Sequence, residues 1–143
     1  MFYAMRSYFQ NHGCLVFTAP FNVYFSVSNH FEKPDDIMQP DITVVCNKNQ
    51  IVSKGCFGAP TLIVEVLSPA TALKDYNEKF YAYQRYGVKE YWIVDTANRM
   101  IHVYHLKDGA YLERVTYGEE DTLRSIEYSD LHISLRSIFA LEI

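Results

Sequence analysis

The feature that most constrains this fold is a succession of strand, helix and strand in the middle of the chain. Residues 61–67, TLIVEVL, are apolar at nearly every position except Glu65, which is the pattern of a strand covered on both faces. In residues 68–87 the apolar positions recur every three or four residues, between a Ser-Pro start and a glycine end that are typical of a helix. Residues 90–96, EYWIVDT, indicate a second strand. A helix that joins two neighbouring strands makes them parallel with a right-handed crossover, so we expect a β-α-β unit.

Shorter strands and turns surround this unit. The residue patterns predict the end of a helix within residues 1–12, antiparallel neighbouring strands at 14–20 and 21–27, a strand at 41–46, hairpin strands at 100–106 and 110–117, and a tail whose final helical turn covers the core with Leu135, Ile138 and Phe139. Residues 28–40, 47–60 and 118–125 have the composition of loops. We therefore predict a single α/β domain over residues 1–143, built on a mixed sheet with an added antiparallel hairpin extension.

Composition excludes several classes of protein. The net charge of −4 provides no basic field for tight nonspecific binding of DNA. No apolar run is long enough to span a bilayer and no signal peptide is recognisable, so we expect a cytoplasmic protein without membrane partners. Cys14, Cys46 and Cys56 are odd in number and far apart, so we expect apolar filler residues and neither a disulfide framework nor a zinc site.

Three charged residues occupy places that make them candidates for chemistry. Asp41 follows a proline at the entrance of a β-branched strand, Glu65 lies inside the buried strand, and Lys79 lies on the crossover helix. The chain advances roughly 10 Å from Glu65 to Ser68, and a helix folding back from Thr71 recovers roughly 12 Å by Lys79, so the lysine can return to the level of Glu65. Two neighbouring carboxylates need a cation between them, and oxygen ligands favour Mg²⁺ or Mn²⁺ over zinc.

The motifs QPDITVV at 39–45 and TLIVEVLSPATALKDYNEKFYAYQRYGVKEYWIVD at 61–95 resemble the Uma-type restriction endonuclease family, a branch of the PD-(D/E)XK nuclease superfamily. The resemblance implies a restriction-endonuclease-like α-β-β-β-α-β core. It also implies that Asp41 and Glu65 are metal ligands and that Mg²⁺ lies near the backbone carbonyl of Val66. The superfamily lysine, two residues after the second acid, is replaced here by Leu67, and Lys79 is the matching position in this branch.

The resemblance implies hydrolysis of DNA phosphodiester bonds, with Asp41 and Glu65 binding Mg²⁺ and activating water and Lys79 stabilising charge. DNA is the expected partner, and a homodimer is compatible with this interpretation. Members of the family usually carry a longer N-terminal portion, so we expect that this segment of the family is missing here.

Simpler interpretations remain open for each residue. Asp41 is compatible with a turn residue after Pro40, Glu65 with a salt bridge to a helix lysine, and Lys79 with a helix-surface ion pair to Asp75. Among the histidines we expect His102 to face solvent. Solvated surface is the simplest interpretation of the four cations that could approach a phosphate backbone: Lys48, Lys54, Lys74 and Arg85.

Two other functions also remain open. One is a non-catalytic module that uses the same fold for partner binding or self-association. The other is a carboxylate-pair hydrolase acting on an uncharged substrate, which a neighbouring lysine disfavours because such an enzyme needs no cation for a phosphate.

Overall fold

The computed structural model describes residues 1–70 and 72–140, and of Lys74 and Asp75 it describes the backbone. Its strands are β1 (Leu15–Thr18), β2 (Asn22–Phe25), β3 (Asp36–Met38), β4 (Ile42–Val45), β5 (Ile51–Val52), β6 (Gly55–Phe57), β7 (Leu62–Val66), β8 (Glu90–Asp95), β9 (Met100–Lys107), β10 (Ala110–Tyr111), β11 (Val115–Gly118), β12 (Thr122–Arg124) and β13 (His132–Ser134). Its α-helices are α1 (Phe2–Phe9), α2 (Ala72–Lys74), α3 (Phe80–Tyr86) and α4 (Leu135–Phe139), with a 3₁₀ turn at Lys48–Gln50 and a π-helical segment at Asp75–Lys79.

A mixed sheet of seven strands forms the centre of the fold, as the sequence predicts. Its strand order is β1-β4-β7-β8-β9-β10, and β11 pairs with the first half of β9. Among its described strands only β7 and β8 are parallel, and the other pairs are antiparallel. The connection between β7 and β8 is the crossover helix, by which we mean α2, the π-helical segment and α3 together. It ends at Gly87, whose φ of 86° is the left-handed conformation that glycine adopts without strain.

The pairing of the second and third predicted segments is different from our expectation. Residues 14–20 and 21–27 are not antiparallel neighbours, because β1 pairs with β4 while β2 joins a separate sheet with the order β3-β2-β6-β5. In that small sheet β2 buries Val23 and Phe25 against Tyr83 of the crossover helix and Tyr91 of β8. This burial explains the arrangement, since a place beside β1 at the sheet edge would leave these side chains without that cover.

Several short strands lie in segments that the sequence predicts as loops. They are β3, β5, β6 and β12, each of two or three residues. Strands this short were missed because the prediction depends on periodicity over longer windows. The predicted strand at 110–117 is divided into β10 and β11, and the predicted helix at 68–87 has its described helical residues from Ala72, with Pro69 in a turn. Such short elements are decided by their pairing partners and not by local pattern.

Two apolar clusters cover the two faces of the large sheet. One packs α1 and the C-terminal tail against the sheet and fully buries Met5, Phe9, Leu135 and Phe139, as predicted for the tail. The other lies under the crossover helix and the small sheet, and it contains Ile63, Tyr91 and Ile93. Since alternate residues of a strand face the same side, Glu65 points toward this second cluster.

The cysteine prediction is wrong for two of the three residues. Cys14 and Cys46 form a disulfide, because the β1–β4 register that pairs Leu15 with Val45 sets these two residues opposite one another. Cys56 is a fully buried free cysteine, as expected. Among the described helices, none combines the length and the apolar character that crossing a bilayer demands.

Candidate functional site

Glu65 is the centre of the candidate site. It lies near the end of β7, and only 2% of its surface is exposed. Its Oε2 atom accepts a hydrogen bond of 2.8 Å from the Tyr83 hydroxyl and lies 3.0 Å from Nζ of Lys79. Its Oε1 atom accepts a bond of 3.3 Å from the backbone N–H of Asp41. Both oxygens of this buried carboxylate therefore have donors, which is what burial of a charge in an apolar cluster requires.

Asp41 and the end of β7 are joined by a reciprocal pair of hydrogen bonds. While the Asp41 backbone donates to Glu65, the Asp41 Oδ2 atom accepts a bond of 2.6 Å from the backbone N–H of Val66. The β4–β7 register pairs Ile42 with Val64, and its continuation by one residue sets Asp41 beside Glu65. The two carboxylates consequently belong to neighbouring strands on one face of the sheet.

Pro40 cannot donate the backbone hydrogen bond that the Val66 carbonyl would receive in a regular ladder. Continued by two residues, the β4–β7 register sets Val66 opposite Pro40, which has no N–H to donate. The Val66 N–H and C=O point to the same side of β7, and the N–H is already directed to Asp41. The ladder therefore leaves the Val66 carbonyl oxygen without a backbone donor from residue 40, next to the two acids.

The crossover helix supplies the lysine ammonium and the tyrosine hydroxyl that contact Glu65. Lys79 is the last residue of the π-helical segment, and Tyr83 follows it by four residues on the same helix face, so both side chains reach Glu65. The Lys79 side chain is 20% exposed, whereas that of Glu65 is 3% exposed, so the ion pair opens to solvent on the lysine side. Turns of π-helix are frequent at functional sites.

Burial sets the protonation behaviour of Glu65. It raises the pKa of this carboxyl, and the Asp41 charge acts in the same direction. The Lys79 ammonium and the Tyr83 hydroxyl act oppositely and lower the pKa. Burial is the larger effect, so the pKa of Glu65 stands above its ordinary value even with the lysine in place.

The structure thus brings together Asp41, Glu65, Val66 and Lys79, the four residues selected from the sequence. Tyr83 was missed, although its spacing of four residues from Lys79 on an amphipathic helix is a usable signal. For the described part of the chain, no group of three or more His, Cys, Asp or Glu side chains could hold a metal ion. The donors available at this site are two carboxylates and a backbone carbonyl.

The remaining candidates of the sequence lie elsewhere. His102 is 2% exposed and bonds Thr116 at 2.8 Å, so the expectation that it faces solvent is wrong; burial lowers its pKa. It lies two strands from Glu65, roughly 10 Å away. Arg85 pairs with Asp36 at 3.2 Å. The side chain of Lys74 lies outside the described residues, as does that of Asp75, the alternative partner of Lys79.

Comparison with known proteins identifies the family and the fold. A sequence model of the Uma2 family, whose description is "Putative restriction endonuclease", matches residues 1–136. The uncharacterized protein slr1290 of Synechocystis sp. (strain ATCC 27184 / PCC 6803 / Kazusa) is 32% identical over 85 residues, which are 59% of this chain and 45% of that protein. The chain therefore spans less than half the length of this relative.

A solved structure shares the fold. The crystal structure of a putative nuclease belonging to DUF820 from Anabaena variabilis ATCC 29413 matches with a TM-score of 0.76 at 16% identity, over 99% of this chain and 77% of that one. At this identity the likeness concerns the fold alone, whereas the sequence model of the family covers residues 1–136 of the 143. The chain belongs to the Uma2 family of putative restriction endonucleases.

Proposed function

We propose that this protein is a metal-dependent endonuclease that hydrolyses phosphodiester bonds of DNA. The observation that carries the proposal is the cluster of Asp41, Glu65 and Lys79 at the end of β7. In this cluster Nζ of Lys79 lies 3.0 Å from the buried Glu65 carboxylate, and the backbone N–H of Asp41 donates to the same carboxylate. A structural ion pair would need one acid and one base. A metal site needs a second carboxylate, and Asp41, held beside this pair by the Val66 N–H, provides it.

The donor set fits a hard divalent cation. Asp41 and Glu65 offer carboxylate oxygens and Val66 offers a carbonyl oxygen, which suits Mg²⁺ or Mn²⁺, since Mg²⁺ is commonly held by one or two carboxylates and keeps several waters. Among the described residues, Oδ2 of Asp41 has a hydrogen-bond donor, and Oδ1 has none. When bound, the cation supplies positive charge to the phosphate and lowers the pKa of a coordinated water.

Each residue has its own part in the proposed reaction. Glu65 orients the attacking water and accepts its proton. Tyr83 keeps that carboxylate in place. Nζ of Lys79 donates to a non-bridging phosphate oxygen, where negative charge increases as the bond from water to phosphorus forms and the bond to the leaving oxygen breaks. The leaving oxygen takes a proton from solvent water.

The test is cleavage of supercoiled plasmid DNA and of linear oligonucleotides in Mg²⁺ or Mn²⁺, with metal binding measured separately by calorimetry. We expect nicking that is abolished by EDTA and by Asp41→Asn or Glu65→Gln. Glu119→Gln is the matched control, because this acid is 47% exposed in a surface pair with Arg99. Cleavage that persists in EDTA, or in Glu65→Gln, would contradict the proposal.

A second candidate is a binding module without catalysis. The observation in its favour is that both oxygens of Glu65 already have protein donors. A folded wild-type protein that binds neither metal nor DNA would support this function. A homodimer and a cytoplasmic location both stay predictions, and sedimentation velocity and fractionation of the source cells would test them.

A further inference from the structure

A cleft lies at the end of the small sheet that is nearest to Asp41. Its volume is about 380 Å³, and it is lined by Pro20, Asn22, Gln39, Ser53 and Lys54. Lys54 carries the only charge among these lining residues, and the structure shows no ion pair for it with any described residue. A cleft whose single charge is positive, and whose lining also contains two amides and a hydroxyl, favours an anion.

The cleft is formed by the way three strands end. β2 begins at Asn22 and β6 begins at Gly55, and because the two strands are parallel their beginnings lie side by side. β3 runs antiparallel to β2, so the residue that follows it, Gln39, reaches the same end. The Asn22 N–H donates to the Lys54 carbonyl at 3.0 Å, and this bond holds the turn before β6 against β2.

Gly55 makes this close approach possible. A Cβ atom at position 55 would lie 1.8 Å from the Asn22 carbonyl oxygen, so no larger residue fits while the strands keep their positions. Two amide side chains are also held in place. Gln39 donates to Oδ1 of Asn22 at 2.7 Å, and Asn22 donates to the Tyr24 hydroxyl at 3.1 Å. The wall beside Lys54 is therefore preorganised.

The cleft lies close to the candidate site and is joined to it through the backbone. Gln39 precedes Asp41 by two residues, so their Cα atoms are at most about 7.6 Å apart. The Ala19 N–H donates to the Asp41 carbonyl at 3.1 Å, which joins the turn containing Pro20 to the same residue. One substrate strand can therefore contact both the candidate site and the cleft.

We propose that this cleft binds a backbone phosphate of the substrate strand, one or two nucleotides from the scissile bond, through Lys54 and the adjacent Gln39 and Ser53. The inference depends on the proposed nuclease function, since it names how the substrate of that site is held. In this proposal Lys54 is a positioning residue: it holds a neighbouring phosphate and takes no part in breaking the bond.

The test compares Lys54→Ala with Lys48→Ala in the full chain. Lys48 is the matched control because it is also exposed and lies beyond the opposite end of β4 from Asp41. Binding of a fluorescein-labelled oligonucleotide is measured by anisotropy in Ca²⁺ over a series of salt concentrations, and cleavage is measured in Mg²⁺. Since Lys54 is exposed, neither variant should disturb folding, and Lys54→Arg should restore binding.

We expect Lys54→Ala to weaken binding about five- to tenfold at low salt and to reduce the slope of log affinity against log salt by about one, while kcat changes less than about twofold. Lys48→Ala should bind as wild type. An unchanged affinity and slope in Lys54→Ala would overturn the cleft, even if the protein cuts DNA. Lys54-dependent binding without any cleavage would overturn the nuclease function and leave the cleft as a DNA-binding site. Protein that neither binds nor cuts would overturn both.

Discussion

Lys79→Met provides the sharpest test of how the buried acid is stabilised. Methionine keeps most of the aliphatic volume of the lysine but removes the ammonium 3.0 Å from Glu65. Removing one partner of a buried ion pair costs about 3–5 kcal/mol of unfolding free energy. Because Lys79 is 20% exposed and Glu65 keeps the Tyr83 hydroxyl and the Asp41 N–H, we expect a smaller loss, about 2–3 kcal/mol at pH 8.

The loss should depend on pH with a definite sign. The pKa of Glu65 is already raised by burial, and the variant raises it further because the lysine was lowering it. A carboxyl whose pKa is higher in the folded than in the unfolded state contributes its stabilisation fully at low pH and loses it as pH rises through the folded pKa. The difference between wild type and variant should therefore be smallest at acid pH. It should increase above the pKa of Glu65 in wild type, by at most about 1.4 kcal/mol per pH unit.

Urea unfolding followed by the fluorescence of Trp92, the single and fully buried tryptophan, measures this at pH 4.5, 6, 7 and 8. Lys89→Met is the control, since this lysine is 61% exposed and lies 3.7 Å from Glu127. We expect it to lose less than about 1 kcal/mol. A loss in Lys79→Met that is equal at pH 4.5 and pH 8, or no larger than that of Lys89→Met, would refute the reasoning.

Three further predictions concern the scaffold. Glu90 is buried and accepts hydrogen bonds from one indole, one hydroxyl and two backbone N–H groups, and burial raises its pKa. Glu90→Gln should lower the free energy of unfolding by about 1–3 kcal/mol and should abolish the decrease in stability that wild type shows as pH rises through that pKa. If the unfolding free energies of wild type and variant, measured in urea, changed in parallel from pH 4.5 to 8, the prediction would be contradicted. Gly55→Ala should lower the free energy of unfolding by about 2 kcal/mol or more, because its Cβ would overlap the Asn22 carbonyl oxygen of β2. Gly118→Ala is the control: its Cβ would meet a carboxylate oxygen at 3.6 Å, so its free energy of unfolding should stay within about 0.5 kcal/mol of wild type in the same assay. Reduction of the bond between Cys14 and Cys46, 32 residues apart, should lower stability by roughly 3–4 kcal/mol, and an unchanged thermal midpoint in reductant would refute the estimate.

The parts of the fold that could be predicted are those with a strong local pattern. The strand around Glu65, the crossover helix and the strand at residues 90–96 each carry enough periodic or continuous apolar residues to be recognised alone. Their order then predicts a parallel pair and a helix that returns over the sheet, and the structure has both. Lys79 was identified as a candidate on the same basis, because it lies on the crossover helix. Asp41 was identified because it follows Pro40 at the start of the predicted strand at 41–46.

What the sequence by itself determined is therefore the local part: a β-α-β unit with an acid inside its first strand, a lysine on its helix and a Pro-Asp pair at the start of a neighbouring strand. Only the tertiary structure decided that Tyr83 donates to Glu65, that Pro40 stands opposite Val66, that β2 joins a second sheet and that Cys14 meets Cys46. These features depend on the register between segments distant in the chain. Register is selected by the burial of whole faces at once, and no single segment of the sequence carries that information.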